Sequence, residues 1–184
     1  MKDKQDIKKE NNIKYILKQI IYALFVVCIA VIIFSFSNEV ADESSNTSAG
    51  VIERLINLIY KDITQEELIK KIEILQPIIR KCAHFILYAS LGFFTYNFVR
   101  TIKRNILKNR ENTAKTFLII SQIFCTTYSI SDEIHQKFIP GRSAELRDVI
   151  IDSLGALTGI LVCIVFLRLI EKIVINLKEK INNN

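Results

Sequence analysis

The sequence predicts an all-α, polytopic membrane protein: a four-transmembrane-helix bundle with both termini in the cytoplasm and short amphipathic helices on the outer side. Three observations carry this reading. Half of the 184 residues are hydrophobic and 24% are charged, yet the two classes separate into long uncharged stretches divided by dense charge. Four of those stretches approach or exceed the roughly 20 helical residues that cross a hydrocarbon core about 30 Å thick. The charge between them alternates in sign along the chain, as it does when loops alternate between two sides of a bilayer.

Residues 1–18 form a basic amino-terminal segment with six lysines. The first membrane helix, 19–38, reads as a retained anchor. Its apolar run exceeds the short core of a secretory signal, and Glu39-Val40-Ala41 is a poor cleavage sequence. An outer loop, 39–79, follows. Its opening run Asp42-Glu43-Ser44-Ser45-Asn46-Thr47-Ser48 reads as irregular chain. Val51, Ile52, Leu55, Ile56 and Ile59 then recur at helical spacing, as do Leu68, Ile69, Ile72 and Leu75 after the Thr64/Glu67 capping box. These segments predict two short amphipathic helices that lie on the membrane or cap the bundle. Pro77 suits the first turn of the second membrane helix, 80–99. The third, 114–131, is the shortest, and it spans by letting Lys115 snorkel and drawing Asp132 to the membrane edge. The fourth, 149–168, is interrupted only by Asp152, and a basic tail, 169–184, closes the chain. Residues 19–168 thus form one membrane domain.

Segments 1–18, 100–115 and 168–184 carry six, six and four basic residues against three, one and two acidic ones. Segments 39–81 and 132–148 together carry nine basic and twelve acidic residues. The positive-inside rule therefore puts both termini in the cytoplasm and the acidic loops outside. This distribution also explains the net charge of +6 without a nucleic-acid partner. Each predicted span holds one cysteine, Cys28, Cys82, Cys125 and Cys163, with no metal-type or disulfide-type pairing, so these are read as small apolar packing residues.

The chemically distinctive residues gather at the outer helix ends. Both histidines of the chain lie there, His84 and His135. Lys81, His84 and Tyr88 share a helix face that Gly92 continues toward the bilayer centre. The densest cluster is Asp132-Glu133-Ile134-His135-Gln136, followed by the turn Pro140-Gly141, Arg142 and Asp148. Two carboxylates, an imidazole, an amide and a guanidinium at a helix end can bind a cation, clamp an anionic head group or move a proton. Asp148, Asp152, Gly155 and Gly159 recur on one helix face, which must be the packed one because a carboxylate facing lipid is costly. His84 and Arg142 are the candidate partners of those two acids. The expected ligand site is Lys81, His84, Tyr88, Asp132, Glu133, His135, Gln136, Arg142, Asp148 and Asp152, with Gly92, Gly155 and Gly159 as packing residues. No metal or other cofactor is expected, since no His-Glu-x-x-His spacing occurs; His84, Glu133, His135 and Asp152 are the ligand types available. His84 and Glu133 are the candidates for acid and base work. The competing reading is a network of buried ion pairs that only fixes helix register.

These motifs resemble the VanZ-like family of bacterial membrane proteins. The resemblance rests on Arg80-Lys81-Cys82-Ala83-His84-Phe85 with Tyr88 and Gly92, on Asp132-Glu133-Ile134-His135-Gln136 with Phe138, on Pro140-Gly141-Arg142 with Asp148, Asp152, Gly155 and Gly159, and on Ser35-Phe36-Ser37. It covers roughly residues 15 to 168; the amphipathic segment before Pro77 is the one departure. It implies a four-helix bundle in the bacterial cytoplasmic membrane and, since the founding member confers low-level resistance to the glycopeptide teicoplanin, a role in antibiotic resistance or in the cell envelope more generally. It implies no reaction. The partners to expect are the lipid bilayer and a cell-wall lipid precursor or lipophilic glycopeptide bound at the outer leaflet by Arg142 and Lys81. The alternative is an intramembrane acid/base or metal-dependent hydrolase acting on a lipid-linked substrate. A proton-coupled transporter is disfavoured by the lack of an inverted repeat.

Overall fold

The computed structural model describes residues 4–39, 41–59, 63–103 and 113–182, and those residues form five α-helices and no strand. Most of the predicted basic loop 100–115 lies outside the described residues. Helix α1 runs Lys4–Ser37, α2 Ala41–Ile59, α3 Gln65–Lys103, α4 Thr113–Gln136 and α5 Leu146–Asn182. Asp42 to Ser48, expected as irregular chain, begins α2 as helix. The apolar stripe that follows, beginning at Val51, carries the helix to Ile59.

The second difference is larger. The Thr64 cap forms, with the Glu67 amide donating to Thr64 Oγ1 at 3.4 Å. The helix it starts does not stop before the membrane span but continues through Pro77 to Lys103. A proline inside a helix costs about 3 kcal/mol through a lost hydrogen bond and a ring clash. That cost is offset here because α2 packs along the same length of α3. Ile52 and Ile56 bury against Leu68, and Ile72, Leu75 and Ile79 carry the contact past Pro77. Helix α2 and the first part of α3 thus form a helical hairpin rather than two separate short helices.

Three helices contain segments long and apolar enough to cross a membrane: Asn12–Ser37, Gln65–Ile102 and Leu146–Ile181. Helix α4 is not among them, since Ser121, Gln122, Thr126, Thr127, Ser129 and Ser131 dilute its apolar character. Helices α1 and α4 each present one narrow buried stripe, Val26, Ile29, Ile33 and Ser37 on α1 and Phe117, Ser121, Cys125 and Ser129 on α4. Elsewhere large apolar side chains such as Leu24, Val27 and Val31 stand exposed. A water-soluble bundle would bury these, whereas lipid solvates them.

Helix direction follows from which residues meet. Ser37 reaches Asp132 and Tyr128 donates to the Ala30 carbonyl, so α1 and α4 run the same way. Lys81 meets Asp148 while Asn97 meets Cys163, so α3 and α5 also run together. Gln19 donates to the Thr101 carbonyl, which sets the two pairs antiparallel. The closest approach is between α3 and α5. A Cβ on Gly92 would overlap the Ala156 carbonyl, one on Gly155 would stand 2.6 Å from the Phe85 carbonyl oxygen, and one on Gly159 would overlap the Ala89 carbonyl. Only glycine lets the backbones approach this closely, which is how small-residue faces pack helices in lipid.

Candidate functional site

This antiparallel arrangement brings the carboxyl end of α1, the start of the α3 span, the carboxyl end of α4 and the amino end of α5 to one end of the bundle. Between them lies a cavity of about 90 Å³ lined by Arg80, Lys81, His84, Glu133, Gln136, Gly141, Arg142, Ser143, Glu145, Asp148, Ile151 and Asp152. That volume holds a few waters or a group the size of a phosphate.

The rim is set by the segment between α4 and α5. The Arg142 amide donates to the Ile139 carbonyl at 3.1 Å, closing a turn over Pro140 and Gly141. Gly141 has φ 76°, the sign a type II turn requires after proline and one that a side chain resists. The turn sends Arg142 back over the bundle, where Nη2 donates to the Phe36 carbonyl at 2.9 Å. Its hydrogen bond is thus to the end of α1, while Asp132 and Glu133 lie close enough to act on its charge. Burial, and next the nearby Arg80, lower its hold on its proton below the ordinary guanidinium range. Glu133 accepts the Glu145 amide at 2.9 Å and so ties the entry of α5 to α4. Burial raises its carboxyl above the usual range against that hydrogen bond.

Two acids lie deeper. Asp132 is 4% exposed and Asp152 1%. Asp132 Oδ2 accepts from Ser37 Oγ at 2.7 Å and from Gln136 Nε2 at 3.3 Å. Asp152 Oδ2 accepts from Ser129 Oγ at 3.0 Å, and its Oδ1 stands 3.8 Å from His84 Nδ1, beyond hydrogen-bonding range. Lys81 is bound 2.7 Å from Asp148 and 3.9 Å from Glu145. The partners of the two α5 acids are therefore Lys81 and His84; Arg142 serves neither.

Of the expected site residues, the structure gathers Lys81, His84, Glu133, Gln136, Arg142, Asp148 and Asp152 around the cavity, with Asp132 and the fully buried Tyr88 immediately behind it. His135 is set apart. Its ring stacks on Phe34 with centroids 4.8 Å apart and faces Asn38 at 3.4 Å. The metal-ligand types that come together are also not the expected four, since His84 and Asp152 are joined by Asp132, while Glu133 and His135 point elsewhere. Sequence reasoning left out Arg80, Ser37 and Ser129. Arg80 was legible as a second cation beside Lys81, and Ser129 as the residue one turn before Asp132 on its buried stripe. Ser37 entered only through the resemblance of Ser35-Phe36-Ser37, because a serine at a membrane helix end is otherwise ordinary until a partner helix is placed beside it.

Fold and site together define a helical membrane protein whose buried polar residues collect around a small pocket at one end of the bundle. The chain belongs to the VanZ/LLP1 family, whose model matches residues 20–167 and therefore every residue lining the pocket. Neither the comparison with curated proteins nor that with solved structures returned a match.

Proposed function

We propose that this VanZ-family protein crosses the bacterial cytoplasmic membrane four times with both termini inside, and that its outer-end pocket binds the anionic head of a lipid-linked or lipophilic envelope ligand. Its contribution is to glycopeptide resistance of the teicoplanin type or to envelope homeostasis. A fourth span is supported by the inward turn of α4's polar groups: Ser121 and Ser129 are buried, and Gln122 donates to the Ser153 carbonyl at 3.0 Å. Lipid then meets mainly Ile119, Ile123, Phe124 and Ile130. The charge bias of the loops supports the orientation.

One observation carries the ligand class. Arg80 and Arg142 both line the pocket, and among the described residues neither forms an ion pair with a carboxylate. Lys81, expected as an anion binder, is neutralised by Asp148 and Glu145, so Arg80 takes its place. Two guanidinium groups that repel each other are relieved by an anion between them, and their forked donors suit phosphate or carboxylate. The pocket admits a head group and leaves the lipid or the body of a glycopeptide outside.

The direct test is binding of a polyprenyl phosphate by the purified protein in chelator-containing buffer. Arg80→Ala and Arg142→Ala should each weaken it about tenfold or more, since a charge-assisted hydrogen bond contributes about 1.5–3 kcal/mol; unchanged affinity in both removes the reading. The cellular test compares teicoplanin and vancomycin susceptibility in a sensitive host expressing wild type, His84→Ala or Glu133→Gln at equal abundance. Selective protection against teicoplanin, lost in both variants, is expected. A second reading, hydrolysis of a lipid-linked ester, draws on the meeting of His84 with two buried carboxylates. Release of phosphate or alcohol from such a lipid by wild type and not by His84→Ala is its test.

A further inference from the structure

A carboxylate withdrawn from water is stable when both oxygens have partners. Asp132 and Asp152 each have one oxygen satisfied and one not. Asp132 Oδ2 is held by Ser37 and Gln136, while Oδ1 is buried with no hydrogen-bond partner. Asp152 Oδ2 is held by Ser129, while Oδ1 faces a histidine nitrogen at 3.8 Å. The donor atoms of His84, Asp132 and Asp152 all lie within 4.8 Å of one another. The hydroxyl of Tyr88, one turn after His84, is likewise buried without a partner. Two nearly fully buried carboxylates facing each other across one imbalanced imidazole are not explained as a self-contained network. Three helices supply these side chains, and each acid is oriented by hydroxyl or amide groups: Ser37 and Gln136 for Asp132, Ser129 for Asp152.

We infer that His84, Asp132 and Asp152 form a divalent metal site at the inner wall of the pocket, fitted to Zn²⁺ or a similar transition ion. In a tetrahedral shell of radius about 2.1 Å neighbouring donors stand about 3.4 Å apart, so pairs that now lie within 4.8 Å must close by at most about 1.4 Å, a movement that side-chain rotation supplies. One imidazole and two carboxylates suit a transition ion; Ca²⁺ and Mg²⁺ prefer more oxygen ligands or retained water. Three protein ligands leave positions open toward the pocket. Ser37, Gln136 and Ser129 are then the groups that orient the ligands, as outer hydrogen bonds do at metal sites. The site is independent of the anion reading, because Arg80 and Arg142 are not ligands and their test is made in chelator.

The test is metal binding by the full-length protein purified in detergent, stripped with chelator, dialysed and titrated with Zn²⁺ and with Mn²⁺. Bound ion is counted by elemental analysis and helicity is followed by circular dichroism. One ion per chain is expected, with at least a tenfold loss of affinity in His84→Ala and Asp152→Asn and no loss in His135→Ala. Ser37→Ala and Ser129→Ala, which keep all three ligands, should weaken binding about 10–100-fold. Absence of stoichiometric binding to the wild type overturns the assignment whether or not the ligand variants fold. So does binding that survives His84→Ala and Asp152→Asn, or that is lost in His135→Ala.

Discussion

At the scale of single residues, the pocket depends on a few positions whose chemistry has no substitute. Gly141 is one, since its φ of 76° both permits the turn and sets where Arg142 points. A branched side chain there meets a conformational cost of about 1–2 kcal/mol. Gly141→Val should therefore lower thermal stability modestly while weakening anion binding nearly as much as Arg142→Ala does, a pairing that parallel unfolding and binding curves would read. A full stability loss with normal affinity would show instead that Arg142 finds its place without the turn. The sequence made the turn legible through Pro140-Gly141, and it marked His84, Asp132, Glu133 and Asp152 by the rarity of such groups at a membrane boundary. It did not show which acid faces which cation. Lys81 and Arg142 carry equal charge in a sequence, and only helix packing decides that the first pairs with Asp148 and the second bonds the end of α1.

At the scale of elements, the α3–α5 contact is the joint that holds the site, because α3 supplies Lys81 and His84 and α5 supplies their partners. Gly159→Leu should push the two helices apart, since even one added carbon overlaps the Ala89 carbonyl. Overpacking typically costs about 1–3 kcal/mol, and a rigid backbone neighbour places this case at or above the upper end. The unfolding midpoint in detergent checks this, and the same change at Gly50, where a Cβ meets nothing within 4 Å, should leave the midpoint nearly unchanged. The Gly-x-x-x-Gly spacing announced this face. The sequence misread the passage from the outer loop into α3, however, because a proline after an amphipathic stretch looks like a new beginning. Pro77 is tolerated through tertiary packing with α2, which local propensity does not contain. Pro77→Ala should accordingly raise stability by up to about 3 kcal/mol with no change in helix content; a fall in stability would mean that the proline bend is needed for the hairpin to pack.

At the scale of the whole molecule, the reading of four spans with both ends inside makes an all-or-none prediction about access. In a background with its four cysteines replaced by alanine, a cysteine at Lys137 should react with a membrane-impermeant maleimide on intact cells. One at Lys178 should react only after lysis. The opposite pattern would invert the molecule and put the pocket in the cytoplasm, where it could meet no extracellular ligand. The all-helical fold and the clustering of polar groups at one end were legible because lipid segregates residue types along a chain; the polar character of α4 was not resolvable that way, since its hydroxyls are acceptable only once neighbouring helices cover them. The uninterrupted α3 carries a mechanical consequence as well. Its 39 residues extend about 58 Å, nearly twice the hydrocarbon thickness, so the hairpin with α2 is a stiff arm fixed to the same rod that bears Lys81 and His84. Bending concentrates at Pro77, one turn before Lys81, where the helical ladder lacks a bond. Whatever leans on the arm, whether crowding polymer or a docked neighbour, applies torque to the mouth of the pocket.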